Sequence, residues 1–275
     1  MIKGIDVAKW QGVIDWDKVK EDGVQFVILK ATNKSNTVED SFERNYKGAT
    51  EQGIPVGVYN YSYATDVNKA YLDACAMINA IKGKSIKLKV WLDVEDSCQK
   101  GIGQKLIDII LMYKKTIESA GYEFGVYTGL SFYNSYIKPY ASQIKCDFWI
   151  ARYPSSKKMT LSENPSTAKK PNIRHNLWGW QYSSTGKIAG IKGNVDMNIC
   201  YVADSEKIES TTEYFPAYTG NTGSFVAALN SLDITSSFSY RREIAKVNGI
   251  TPYIGSAAAN ITMLTLLKQG MLKRP

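Results

Sequence analysis

In the stretch KVWLDVEDS, residues 89–97, an apolar run of Val90, Trp91 and Leu92 gives way to Asp93, Glu95 and Asp96. Residues i and i+2 of a strand share a face and lie about 6.5 to 7 Å apart, so Asp93 and Glu95 project to one side and Asp96 to the other. Two carboxyls facing one poorly solvated cavity repel, until one keeps its proton at neutral pH while its neighbour is an anion. Such a pair is what cleavage of a glycosidic bond needs. The plainer reading is that these acids open a loop, with Asp96 and Ser97 capping a helix. Recurrence weighs against it: Asp6 lies in GIDVAKWQG and Asp196 in GNVDMN, each inside an apolar strand pattern.

The elements that must position these acids follow from periodicity. Short apolar runs at 4–8, 26–31, 55–61, 88–95, 124–128, 148–153, 178–182 and 195–199 read as eight strands. Between the early ones, helical patterns fall at 16–21, 41–52, 68–81 and 104–120, with a weaker one at 131–137. Ile107, Ile110, Leu111, Lys114 and Ile117 form a stripe at helical spacing, and Gly53, Gly83 and Gly121 stand where helices stop. Strand-then-helix order predicts a parallel sheet, and eight strands predict a closed (β/α)8-type barrel. The last three strands leave little room for helices, so that side of the barrel should be irregular. In such a barrel the chemistry collects at the C-terminal strand ends, and strands one and eight are neighbours, which brings Asp6 beside Asp196.

Composition sets the outer limits. With 44% hydrophobic and 12% aromatic residues the chain reads as globular, and its eighteen tyrosines and six tryptophans offer flat faces that suit sugar rings. The start, MIKGIDVAKWQG, has no apolar run of secretory length, and no 18-residue apolar run occurs, which predicts synthesis in a cytoplasm without a membrane span. Cys75, Cys98, Cys146 and Cys200 are far apart with one histidine, His175, for company, so neither a metal site nor a disulfide framework is expected. His175 itself is expected in solvent. A net charge of +8 favours an anionic partner, but no dense basic block or nucleic-acid motif accompanies it.

After Tyr201 the composition changes. Residues 203–223 are polar, with four acids against one lysine, and read as a linker; residues 224–275 hold six basic and two acidic side chains and two or three short helical patterns, at 225–229, 241–247 and 257–267. So small a module has little core and is expected to lean on the main domain or on a second copy of itself.

DVAKWQG, WLDVE, FWIARY, LWGWQYSS and GNVDMN, in this order across residues 1–202, resemble the glycoside hydrolase family 25 lysozymes, the muramidases of bacteria and their phages. The resemblance implies a flattened barrel of eight strands and about five helices, without a cofactor. The activity it implies is cleavage of the β-1,4 bond from N-acetylmuramic acid to N-acetylglucosamine in peptidoglycan. It makes Glu95 the general acid and then the base. Asp93 becomes the group that steadies the attacking 2-acetamido substituent, and Asp6 and Asp196 shape the pocket floor. Whether Asp196 acts as a nucleophile stays open, since a covalent path needs carboxylates about 5 to 5.5 Å apart. Tyr61, Tyr63, Tyr127, Trp149, Tyr153, Trp180, Gln181 and Tyr182 fall at strand ends and are expected to line the groove; the alternative for each aromatic is a place in the barrel core. Arg152 is expected to meet a rim carboxylate or the lactyl acid of muramic acid, or else to be an ordinary surface arginine.

The C-terminal residues resemble cell-wall targeting modules at the ends of phage lysins, with Arg241 and Arg242 facing an anionic wall polymer. A phage endolysin held on its insoluble substrate, made in the host cytoplasm and acting at the wall, is the implied whole. Two other readings remain: a wall-binding lectin on a decayed barrel, and a chitinase-like glycosidase. A lectin has no use for a proton donor, and the longer acidic run of chitinases is absent here, where Leu88 and Trp91 stand in place of acids.

Overall fold

In the computed structural model, which describes residues 2–201, 214–232 and 234–275, the chain divides into two compact units near residue 205. The first contains eight strands: β1 Ile2–Val7, β2 Phe26–Thr32, β3 Val56–Tyr61, β4 Val90–Asp93, β5 Phe124–Gly129, β6 Asp147–Ala151, β7 Asn176–Gly186 and β8 Val195–Cys200. They close into one barrel in sequence order. Strands β1 to β7 are parallel, whereas β8 runs antiparallel to both β7 and β1. The all-parallel expectation fails there because only residues 187–194 join β7 to β8, enough for a hairpin but not for a crossover helix. The reversal brings the start of β8, rather than its end, to the rim where the other strands finish. Asp196 reaches that rim for this reason.

Helices α1 Trp16–Glu21, α2 Phe42–Glu51, α3 Val67–Ile81, α4 Gln104–Ser119 and the single turn α5 Leu130–Phe132, which runs on through Tyr133–Ile137, belong to the barrel unit. In α4, Leu106, Ile107, Ile110, Tyr113 and Ile117 are buried, at about 1.5 to 3 kcal/mol for each large side chain taken from water. They join the outward-facing strand residues, such as Val27, Leu29, Val58, Leu92 and Val126, in the main core. Among the described residues no helix is long and apolar enough to cross a membrane.

The barrel interior is a separate layer of aromatic rings. Trp91 of β4 lies against Trp149 of β6 and Trp178 of β7, with centroids 5.7 and 4.7 Å away, and Trp178 meets Phe26 of β2 at 5.7 Å. Glycine makes room for them. A Cβ on Gly125 would fall 2.2 Å from the Trp91 ring, and one on Gly4 would fall 2.6 Å from the Phe26 ring. This floor closes the lower barrel and leaves the upper end to polar side chains.

The second unit packs α6 Phe225–Ser231, α7 Phe238–Val247 and α8 Ala257–Lys268 around Phe225, Leu229, Tyr240, Ile244, Met263 and Leu267. Each helix opens on a serine, Ser224, Ser237 or Ser256, that accepts a backbone N–H of its first turn. Of the segment read as a linker, 203–213 lies outside the described residues. Residues 214–223 do not behave as one: Phe215 is buried in the small core and its N–H donates to Leu272 O at 2.7 Å. Composition hid this because one aromatic anchor among polar residues leaves the average polar.

Candidate active site

Strand parity decides what enters the mouth. On β1 the inward row runs Gly4, Asp6; on β2 Phe26, Ile28, Lys30; on β3 Gly57, Tyr59, Tyr61; on β4 Trp91, Asp93 and, just past the strand, Glu95. Asp6 and Asp196 are direct partners across β1 and β8, which puts like charges on one face.

The four carboxyls are held differently. Asp6 is buried, and its Oδ1 accepts from Asn198 Nδ2 at 2.7 Å and Gln181 Nε2 at 2.8 Å. Burial raises its pKa to about 6 against these two hydrogen bonds, which pull it down. Asp196 has no such donors among the described residues, and burial followed by the neighbouring Asp6 pushes it up to about 8. Asp93 is buried with Oδ1 unpartnered among the described residues; burial and then Glu95 raise it well above the carboxylate range, while the Lys30 ammonium pulls the other way. Glu95 is half-buried, raised by burial, and its Oε2 accepts from Gly129 N–H at 3.0 Å. Burial thus disfavours the anion at both Asp93 and Glu95, and at Asp93 the Glu95 charge adds to it.

Around them stand polar rings and one cation. Gln181 links Asp6 to two phenols: its Oε1 accepts from Tyr127 Oη at 2.8 Å and from Tyr153 Oη at 2.6 Å. A groove of about 620 Å3 opens beside Glu95, lined by Tyr127, Asn134, Ser131 and Tyr153. Tyr61 donates to Asp96 at 3.1 Å and packs its ring 4.9 Å from Tyr63. Asp96 is otherwise occupied in capping the turn Ser97–Gln99, which is the part of the plain reading of KVWLDVEDS that holds.

Several assignments change. Trp180 and Tyr182 do not line the groove: both are fully buried in the outer core, and Trp180 Nε1 donates to Arg152 O at 2.7 Å. A bulge between β6 and β7 at Phe148 and Trp149 sets the parity so that Gln181 points in and its two neighbours out. Trp149 points inward but lies beneath the mouth, its Nε1 donating to Asn198 Oδ1 at 2.8 Å. Arg152 donates to the carbonyls of Lys169 and Lys170 at 2.8 and 3.4 Å, which anchors a loop, and it also lines the groove beside Glu95 as expected, though it forms no ion pair with a rim carboxylate among the described residues. His175 is not in solvent. It is half-buried against Phe148, its Nε2 donates to Ala141 O at 3.0 Å and its Nδ1 accepts from Tyr133 Oη at 2.9 Å. In the second unit, Arg241 is held by Ser236 O, Tyr253 Oη and Asn260 Oδ1, which leaves Arg242 as the more open of the two arginines.

Sequence reasoning missed Lys30, Tyr59 and Asn198. The Lys30 ammonium lies 5.8 and 5.6 Å from the rings of Tyr59 and Tyr61, and the Tyr59 phenol is raised well above its usual range by burial and then by Asp6, Asp93 and Asp196 together. The signal was present. In FVILKAT, Lys30 shares parity with Phe26 and Ile28 at a strand end, the anomaly that exposes Asp93 in WLDVE. Among the described residues no group of three or more His, Cys, Asp or Glu is arranged to hold a metal ion.

The chain is similar in sequence and fold to several known proteins. The family model described as glycosyl hydrolases family 25 matches residues 5–191. The autolytic lysozyme of Clostridium acetobutylicum is 30% identical over 197 residues, covering 72% of this chain and 55% of that protein, so the chain spans about half the length of this relative. Lysozyme M1 of Streptomyces globisporus is 29% identical over 210 residues, 72% of this chain and 67% of its own. Among solved structures, the catalytic domain of endolysin ply40 from bacteriophage P40 of Listeria monocytogenes superposes with a TM-score of 0.61 at 26% identity, over 77% of this chain and 98% of that domain.

Proposed function

Because this chain belongs to the glycosyl hydrolases family 25, we propose that its barrel hydrolyses the β-1,4 bond between N-acetylmuramic acid and N-acetylglucosamine in peptidoglycan. The observation that carries this reading is the pair of acids at the end of β4: a half-buried Glu95 on the groove and a buried Asp93 with one oxygen unpartnered among the described residues. An acetamido N–H fills that oxygen, and a buried acceptor left empty is costly until it does. Its arrival favours the Asp93 anion, and exclusion of water from Glu95 favours the acid, so Glu95 is the group that holds a proton for the leaving oxygen.

Glu95 then gives that proton to the leaving glycosidic oxygen as the acetamido carbonyl closes on the anomeric carbon. Asp93 faces the positive charge that develops on the acetamido nitrogen. In the second half Glu95 takes a proton from the water that opens the ring, which returns the acid. Asp196, carrying its proton at neutral pH, is a poor nucleophile, which favours this neighbouring-group route over a covalent one.

The basic second unit, with Arg242 open, is read as a module that holds the enzyme on an anionic wall polymer, and the whole as a phage endolysin that lyses its host from within. Exposed Ile254, Ile261 and Met271 give that unit a surface for pairing with a second copy. The test is mass spectrometry of fragments from purified Gram-positive wall. New reducing ends should be muramic acid, and Glu95→Gln should lower their release by about 10²- to 10⁴-fold. Reducing-end N-acetylglucosamine, or a variant equal to wild type, overturns the reading.

A further inference from the structure

Of six tryptophans, five are at most 7% exposed; Trp10 is 80% exposed. Its loop is nevertheless tied down on several sides. Lys9 N–H donates to Glu39 Oε1 at 2.9 Å, and Glu39 is itself buried and held by the N–H and hydroxyl of Ser41. Gln11 accepts from Ala8 N–H at 2.9 Å and donates to Asn194 O at 3.3 Å, while the Arg44 guanidinium donates to Gly12 O at 2.7 Å. An apolar ring is therefore held out in water by a backbone with no freedom to fold it away.

Its position is equally constrained. Trp10 follows Asp6 by four residues, at most about 14 Å of chain, on the rim where β1 ends and β8 begins. That is across the mouth from the groove of Tyr127, Asn134 and Tyr153, which lies at β5 and β6. The Lys9 ammonium, 5.5 Å from the indole centroid and 3.6 Å from Asp40, supports the ring from one side. Val13 is the other exposed apolar side chain of this loop, so the surface is one ring and one small neighbour, too little for a protein interface. A single indole with polar surroundings matches the apolar face and polar edge of a pyranose.

We propose that Trp10 is a stacking platform for a sugar ring of the glycan strand beyond the cleaved pair, so that the bound strand crosses the acids from the Tyr153 side to the β1 rim. The proposal rests on the muramidase reading above. Covering about half of an indole of ~200 Å2 corresponds to a roughly 10- to 50-fold gain in binding once ordering costs are deducted.

The experiment uses the full chain carrying Glu95→Gln, which holds substrate uncleaved, and peptide-free glycan chains of several disaccharides, with a single disaccharide as comparison. Acrylamide quenching of tryptophan fluorescence reads Trp10 almost alone, since the other indoles are shielded; Trp10→Phe identifies its share. The expected result is strong quenching in the free protein, protection by the long chains at saturation measured calorimetrically, and little protection by the disaccharide. In the active enzyme Trp10→Ala should raise KM for the chains about 10- to 50-fold with kcat within about 2-fold, and Trp10→Tyr should recover most of the loss. Unaltered quenching with long chains bound, a Trp10 already shielded in the free protein, or an unchanged KM overturns the proposal. Should wild type cleave nothing, the muramidase reading falls separately, and protection of Trp10 by bound glycan still decides this one.

Discussion

Asp196→Asn keeps the shape of a side chain while removing one charge from a facing pair of acids. Burial and Asp6 hold Asp196 at about 8, and Asp6, eased by Asn198 and Gln181, sits at about 6. Both lie above the ~3.9 of an unfolded aspartate. The folded chain therefore binds more protons than the unfolded one from about pH 4 to pH 8, so its stability is greatest at the acid end and falls as pH rises through that window. Between pH 4 and pH 7 the gap at Asp196 alone corresponds to ~4 kcal/mol. Asp196 keeps some contact with water and shares its titration with Asp6, so about half of this, ~2 kcal/mol, is expected on substitution. Asp196→Asn should stabilise the barrel by ~2 kcal/mol at pH 8, a rise of about 4 to 8 °C in Tm, and by almost nothing at pH 4. Calorimetry of the full chain at both pH values measures it. A variant less stable than wild type at pH 8, or one with the same gain at both, would refute the argument that these acids are held against their ionisation.

Gly125→Ala should cost about 3 kcal/mol, because its Cβ meets a Trp91 ring that is fully buried between two other indoles; urea midpoints of the variant and wild type give the number. Leu267→Ala opens a cavity in the small core and should cost about 2 to 5 kcal/mol there. Under the targeting reading, that variant should stop sedimenting with whole walls while cleaving short glycans within about 2-fold of wild type; equal loss of both activities would count against an independent module.

The barrel was readable because its strands carry their signal locally. Each strand is a four- to eleven-residue run bounded by turns or helices, and the observed limits differ from the sequence reading by only a few positions at most ends. What periodicity could not supply was direction. Nothing in GNVDMN distinguishes a strand entering the rim from one leaving it; only the short β7–β8 connection carries that information. Inward or outward parity was secure on β1 and β4, where the acids mark the inner row. It was lost on β6 and β7, where one bulge reassigns Trp180 and Tyr182 to the outer core and leaves Gln181 facing Asp6.

The acids stood out because a carboxylate in an apolar strand violates the usual order of burial. Lys30 violates it equally and was passed over, because a lone lysine is easily read as a strand edge. Its place changes the electrostatic account of the site. Near neutral pH Asp196 keeps a proton and Asp6 is largely an anion, while burial raises both Asp93 and Glu95 and so holds the four carboxyls short of full ionisation; the Lys30 side chain, itself lowered by burial, offsets part of the negative charge. Four ionised carboxylates would hold a cation so tightly that release became slow, and a neutral mouth would offer a cationic intermediate nothing. A mouth held short of full ionisation, with a buried Asp93 oxygen left unpartnered among the described residues, suits the single positive charge that the acetamido route proposed above would create and then discharge.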